Sequence, residues 1–148
     1  MQISEILSED RILCGVDTSS KKGVLEELGR LIASADPSLT YTEIFSCLIA
    51  REKLGSTGLG KGVAIPHGRL GHGSTTIGAF LQLKRAIDYD AIDQNPVDLI
   101  FALIVPEDST DEHLQILATL AEKFSDHKLL TRLRVESNPK RILKLLTS

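Results

Sequence analysis

The sequence predicts an α/β protein: a mixed β-sheet flanked by helices on both faces, a single-domain sandwich over residues 1–148. Three observations predict it. Apolar, β-prone runs at residues 11–16, 75–83 and 97–105 stand apart from segments with helical spacing. Their order is strand, two helices, a glycine-rich loop, several strands, then helices, which is the order of a layered α/β sandwich. The 148 residues are 42% hydrophobic and 25% charged, enough for one sizeable core and too apolar for disorder. With no Trp and 4% aromatics, that core must be Leu, Ile, Val and Ala.

Each element follows from local chemistry. Arg11 to Val16 reads as a short strand. The Asp17-Thr18-Ser19-Ser20 cluster supplies N-cap candidates for a helix from Lys21 to Ser34, with Val24, Leu25, Leu28, Leu31 and Ile32 on one side. Asp36-Pro37 ends it. Thr40 and Glu43 form a capping box for a second helix through Ile44, Leu48 and Ile49 to about Leu54. A glycine-rich loop, Gly55 to Gly62, leads to the stretch Gly62-Val63-Ala64-Ile65-Pro66-His67-Gly68-Arg69. Thr75 to Leu83 and Val97 to Val105 read as strands, and Ala86 to Tyr89 as an edge strand or a turn. Ser109 and Glu112 form another capping box, opening a helix through Phe124. Helices follow around Lys128 to Val135 and Pro139 to Leu146, the last with Asn138 and Pro139 as N-cap and first-turn pair.

Several function classes are excluded or disfavoured. A net charge of −3 argues against a nucleic-acid binder. The longest apolar run, Leu99 to Val105, is far too short to span a membrane. Gln2, Ser4 and Glu5 do not open a signal peptide, so a cytoplasmic location is expected. Cys14 and Cys47, isolated from each other, are expected to be buried small hydrophobes. Gly55 to Lys61 matches the first seven positions of a phosphate-binding loop, but the eighth is Gly62 instead of Ser or Thr, and the loop precedes a strand instead of a helix. Nucleotide binding is therefore not expected.

His67 is the candidate that remains. Pro66 fixes its own φ and biases Ile65 towards extended backbone, while Gly68 frees the next position. The imidazole is thus displayed at a strand end, with one nitrogen protonated and one available as base or nucleophile. Three partners suggest themselves. His113 lies in a first helical turn and shares a face with Leu117, Leu120 and Phe124. Arg51 lies near the end of the second helix and is able to clamp a phosphoryl group or, equally, to complement the helix terminus. Ser56 and Thr57 offer hydroxyls to phosphoryl oxygens, although loop polarity alone explains them as well. His72 and His127 have no comparable context, and no H-x-x-x-H or H-E-x-x-H spacing supports a metal site from His67, His72 and His113. Glu107, Asp108, Asp111 and Glu112 crowd the approach to His113; facing His67 they would favour passing a phosphoryl group on, although a charge run more often points to solvent.

Arg51-Glu52-Lys53-Leu54-Gly55-Ser56-Thr57-Gly58-Leu59-Gly60, continuing into Gly62-Val63-Ala64-Ile65-Pro66-His67-Gly68, resembles the signature of enzyme IIA of the phosphotransferase system. The likeness is to the mannitol/fructose type, most closely its nitrogen-regulatory branch, and extends from about Ile3 to Leu146. The resemblance implies a mixed sheet flanked by helices. It implies that His67 accepts a phosphoryl group from the phosphohistidine of an HPr-type carrier, with His113 supporting and Arg51 compensating charge beside it, and with no metal or organic cofactor. With no second domain or membrane segment before Ser148, the leading expectation is a stand-alone phosphocarrier that regulates protein targets through its phosphorylation state. The alternatives are a sugar-specific IIA subunit that passes phosphate to a IIB component, and an interaction protein whose His67 is never phosphorylated.

Overall fold

A computed structural model describes residues 2–70, 75–108 and 110–148, apart from the side chains of residues 110, 112 and 113. The chain order is α1 (Ile3–Ile6), a 3-10 turn (Glu9–Arg11), β1 (Ile12–Val16), α2 (Lys21–Ala33), α3 (Tyr41–Leu54), β2 (Gly58–Gly60), β3 (Val63–Ala64), β4 (His67–Leu70), β5 (Ile77–Ile87), β6 (Val97–Pro106), α4 (Thr110–Lys123), α5 (His127–Val135) and α6 (Pro139–Thr147). The expected caps form where they are described. Ser20 accepts from the Gly23 N–H, and Thr40 and Glu43 close their box. Asn138 accepts from Lys140, with Pro139 opening α6. The proposed Ser109–Glu112 box lies outside the described residues.

The sheet has six strands, in the order β1-β5-β6-β3-β2, with β4 also paired to β6. It is mixed: β1–β5, β3–β6 and β4–β6 are parallel, while β5–β6 and β2–β3 are antiparallel. β6 is apolar nearly throughout because both of its faces are covered. Ile100, Ala102 and Ile104 face α2 and α3 in one core, with Leu25, Leu28, Ile44 and Leu48. Leu99, Phe101, Leu103 and Val105 face the other core, with Ile116 and Leu120 of α4, Phe124 just after it, and the apolar sides of α1, α5 and α6. Helices therefore flank both faces, as the alternation along β6 requires.

Several boundaries differ from those expected. The glycine-rich loop contains a strand, β2, and turns through Lys61 and Gly62 into β3. β5 runs on to Ile87, so Ala86-Ile87 ends a strand already begun and the turn comes after it. The short α1 carries Ile3 and Ile6 into the second core; four residues are too few to show a period in sequence. Both cysteines are unpaired, and each is only half-buried, not fully enclosed. Burial pushes both thiols up. Among the described residues no helix is long and apolar enough to cross a membrane.

One contact brings α3 onto the sheet edge. The Cys47 thiol donates to the Arg69 carbonyl at 3.2 Å. A Cβ added at Gly68 would overlap the Cys47 sulfur, so only glycine admits this approach. Gly68→Ala should lower unfolding free energy by about 1–3 kcal/mol in a urea titration. Removing the sulfur with Cys47→Ala in the same chain should restore most of that loss, so simple additivity of the two changes would argue against this contact as the cause.

Candidate functional site

β3 and β4 are two pieces of one edge line along β6, in register from Val63 opposite Leu99 to Leu70 opposite Pro106. Ile65-Pro66 interrupts the line. Proline has no N–H for the ladder, yet its carbonyl still accepts from the Leu103 N–H at 3.0 Å. The chain therefore stays on the sheet while Ile65 is released to a different partner. Gly68 faces α3, so its neighbours His67 and Arg69 project to the other face, in register with Leu103 and Val105, the face that α4 covers.

His67 is half-buried there. Its Nδ1–H donates to the Ile65 carbonyl, two residues back, at 2.8 Å. That bond selects the tautomer whose lone pair lies on Nε2. Burial holds the imidazole below the ordinary histidine value of 6.5; the Ile65 hydrogen bond pulls it back in part, the Arg51 charge pushes it down, the Glu52 charge pulls it up, and the Arg69 charge adds a smaller push down. The ring is thus biased towards its neutral form and oriented, with its lone pair on Nε2.

The other expected site residues fall into place unevenly. Arg51, in the last turn of α3, donates to the Gly55 carbonyl at 2.8 Å and is near enough to bear on His67 electrostatically. Its hydrogen bond therefore complements the helix terminus. Ser56 donates to the Tyr89 carbonyl at 3.2 Å and accepts from the Gly58 N–H. The Thr57 hydroxyl donates to the Glu52 carboxylate. Both loop hydroxyls are engaged within the protein. His113 stands in the first turn of α4, directly after the strand that His67 is paired to; its side chain lies outside the described residues, as does His72. His127 opens α5 beyond the far end of α4, about 20 Å of helix away from that first turn. Glu107, Asp108 and Asp111 are exposed. Among the described residues no group of three or more His, Cys, Asp or Glu could hold a metal ion.

Glu52 is the residue that sequence reasoning passed over. Its side chain is only 5% exposed, beneath the glycine-rich loop. Lys21 of α2 pairs with it at 2.7 Å, the Tyr89 hydroxyl donates at 3.2 Å, and Thr57 donates from both its backbone N–H and its hydroxyl. The Lys21 ammonium also sits over the Tyr89 ring, 4.7 Å from its centre. Burial, then the adjacent carboxylate, pushes the Tyr89 phenol up, so it remains a donor. A signal was present: Ile44, Leu48 and Glu52 lie four apart on the buried stripe of α3, and a carboxylate there demands partners.

A family model described as "Phosphoenolpyruvate-dependent sugar phosphotransferase system, EIIA 2" matches residues 5–148. A nitrogen regulatory protein of Pseudomonas aeruginosa is 45% identical over 134 residues, covering 90% of this chain and 87% of that protein. The solved nitrogen regulatory protein IIA-Ntr of Neisseria meningitidis superposes with a TM-score of 0.93 at 44% identity, over 98% of this chain and 99% of that one. The mannitol IIA of Escherichia coli shares the fold, with a TM-score of 0.76 at 22% identity over 95% of this chain and 98% of that one.

The depressed proton affinity of His67 makes folding stability depend on pH. Below 6.5 the unfolded chain binds a proton at this residue more readily than the folded one does. Stability therefore rises with pH from the lowered folded value up to 6.5 and is constant, from this group, on either side. An NMR titration should place the His67 midpoint below 6.5, and His67→Gln should flatten stability across that window. An unchanged slope would assign the pH dependence to another group.

Proposed function

The chain belongs to the EIIA 2 family of the phosphoenolpyruvate-dependent sugar phosphotransferase system, and we propose that it works as a phosphohistidine carrier of the nitrogen-regulatory type. The observation that carries this reading is the His67 ring, neutral at the sheet edge with Nδ1–H tied to the Ile65 carbonyl. The relatives named nitrogen regulatory protein, aligned over nine-tenths of the chain, support the branch.

In this reading the donor is the phosphohistidine of an HPr-type carrier. The Nε2 lone pair of His67 forms a bond to phosphorus. The bond from phosphorus to the donor imidazole breaks, and its electron pair returns to that nitrogen. His67 keeps its Nδ1 proton throughout, so the ring becomes cationic as the phosphoryl group arrives, and the Ile65 carbonyl meets the stronger donor. Arg51 offers charge compensation for the phosphoryl oxygens, and His113 is assigned by the family resemblance to steady them or the ring. Ser56 and Thr57 tie the loop to Tyr89 and Glu52 in this scheme, because reaching a phosphoryl group would require them to leave those partners. The charge gained at His67 then changes which regulatory proteins dock.

Incubation with phosphoenolpyruvate, enzyme I and HPr should add one acid-labile phosphoryl group by intact mass, and His67→Ala should abolish the gain. No gain from a donor mixture that charges another acceptor would leave an interaction protein on the same scaffold. Onward transfer to a IIB component would instead mark a sugar-specific subunit.

The exposed carboxylates at the end of β6 offer a second check. If Glu107 and Asp108 turn towards the charged ring, their repulsion shortens the life of the phosphorylated form, and Glu107→Gln with Asp108→Asn should lengthen its half-life. An unchanged half-life would leave both as solvated surface charges.

A further inference from the structure

The partners of Glu52 form a continuous line that ends at His67. The carboxylate receives the Thr57 N–H and hydroxyl. The Thr57 carbonyl, on the next peptide group, accepts the Ile65 N–H at 3.0 Å. The Ile65 carbonyl accepts Nδ1–H of His67 at 2.8 Å. Each link is backbone-fixed except at the two ends. Lys21 and Tyr89 brace the first end from α2 and from the segment after β5. On the other side of Ile65, the Pro66 carbonyl is held by Leu103 of β6. The Ile65 peptide is therefore clamped between Thr57 and β6, and the position of its carbonyl oxygen depends on where Glu52 holds Thr57.

We propose that Glu52 is a positioning residue for His67: through Thr57 and Ile65 it holds the imidazole in the tautomer with the proton on Nδ1 and the lone pair on Nε2, the nitrogen assigned above to phosphoryl transfer. The inference rests on His67 being the acceptor for its consequence, but its physical content, the tautomer, stands apart from that reading. Simple scaffolding does not require this composition. Replacing a buried ion pair as a whole by apolar side chains is often neutral for stability, so burial of this carboxylate is not by itself a source of stability and is compatible with a directional role. The direction here is given by Thr57, whose two donors both point at the carboxylate and whose acceptor points at Ile65.

The experiment is nitrogen-15 NMR of the full chain labelled at histidine, which reads the two ring nitrogens of His67 separately, paired with phosphoryl acceptance from HPr. The wild type should show Nδ1 protonated and Nε2 unprotonated. Glu52→Gln and Thr57→Val should each give a mixture of tautomers, with the maximal rate of acceptance falling about tenfold or more and the donor concentration for half-maximal rate little changed. Thr57→Ser keeps both donors and should restore the wild-type nitrogen shifts and rate. A folded Glu52→Gln or Thr57→Val that keeps the wild-type tautomer overturns the proposal. If Glu52→Gln does not fold, Thr57→Val against Thr57→Ser decides it alone. If the wild type accepts no phosphoryl group, the proposed carrier function fails, while the nitrogen shifts still decide whether Glu52 sets the tautomer.

Discussion

The structure depends on β6 being hydrogen-bonded along both edges while buried on both faces. Its residues from Leu99 to Val105 are almost wholly inaccessible. A strand so enclosed cannot leave backbone groups unpaired without a cost of several kcal/mol per group. One edge is satisfied by β5, antiparallel and long. The other must be satisfied by the short parallel segments β3 and β4, with a proline between them. The Pro66 carbonyl continues the ladder where its missing N–H cannot, so the break is confined to one side of the chain. Display of His67 at a sheet edge and completion of the central ladder are the same structural event.

The break also explains the chemistry available to the ring. An imidazole on an uninterrupted parallel strand would find neighbouring carbonyls already committed to the ladder. Here the Ile65 carbonyl lies at the interruption and turns to Nδ1. Half-burial on the face covered by α4 favours the neutral ring, and two arginines, Arg51 of α3 and Arg69 on the same strand, strengthen that preference. The same arginines that disfavour an imidazolium would favour an anionic group near it. A site that rejects a proton and attracts an oxyanion suits a nucleophile that receives a phosphoryl group better than a general acid.

Much of this was legible in sequence for identifiable reasons. The caps at Ser20, Thr40 and Asn138 are local, so their residues alone predict their geometry. The stripe Val24, Leu25, Leu28 and Ile32 was readable because one face of α2 meets one core. Pro66-His67-Gly68 declared a displayed histidine, since proline and glycine restrict the backbone by themselves. What was hidden depended on distance in sequence. The strand β2 exists because β3 lies beside it, not because Gly-Leu-Gly prefers extension. Gly68 reads as turn freedom, but its cause is the Cys47 sulfur on another element. Arg51 and Thr57 carried signals for loop chemistry that could not reveal which partners the fold would bring to them.

Glu52 joins these levels. Folding a carboxylate under a glycine-rich loop costs desolvation that Lys21 alone would recover only in part. Thr57 and Tyr89 supply the remaining donors, Thr57 from the loop itself and Tyr89 from a segment anchored in the core through Ile87, Tyr89 and Ala91. The glycines that let the backbone pass over the carboxylate also deprive the loop of side chains that might pack it. At Gly58 a Cβ would come within 2.7 Å of the Ala91 Cβ, so the loop presses directly on the segment that carries Tyr89. A loop so closely seated, and so poor in apolar anchors, takes its position from polar bonds. Such bonds are directional where packing is not, so a loop seated on the Glu52 carboxylate holds its Thr57 carbonyl in one place, and that carbonyl accepts the Ile65 N–H.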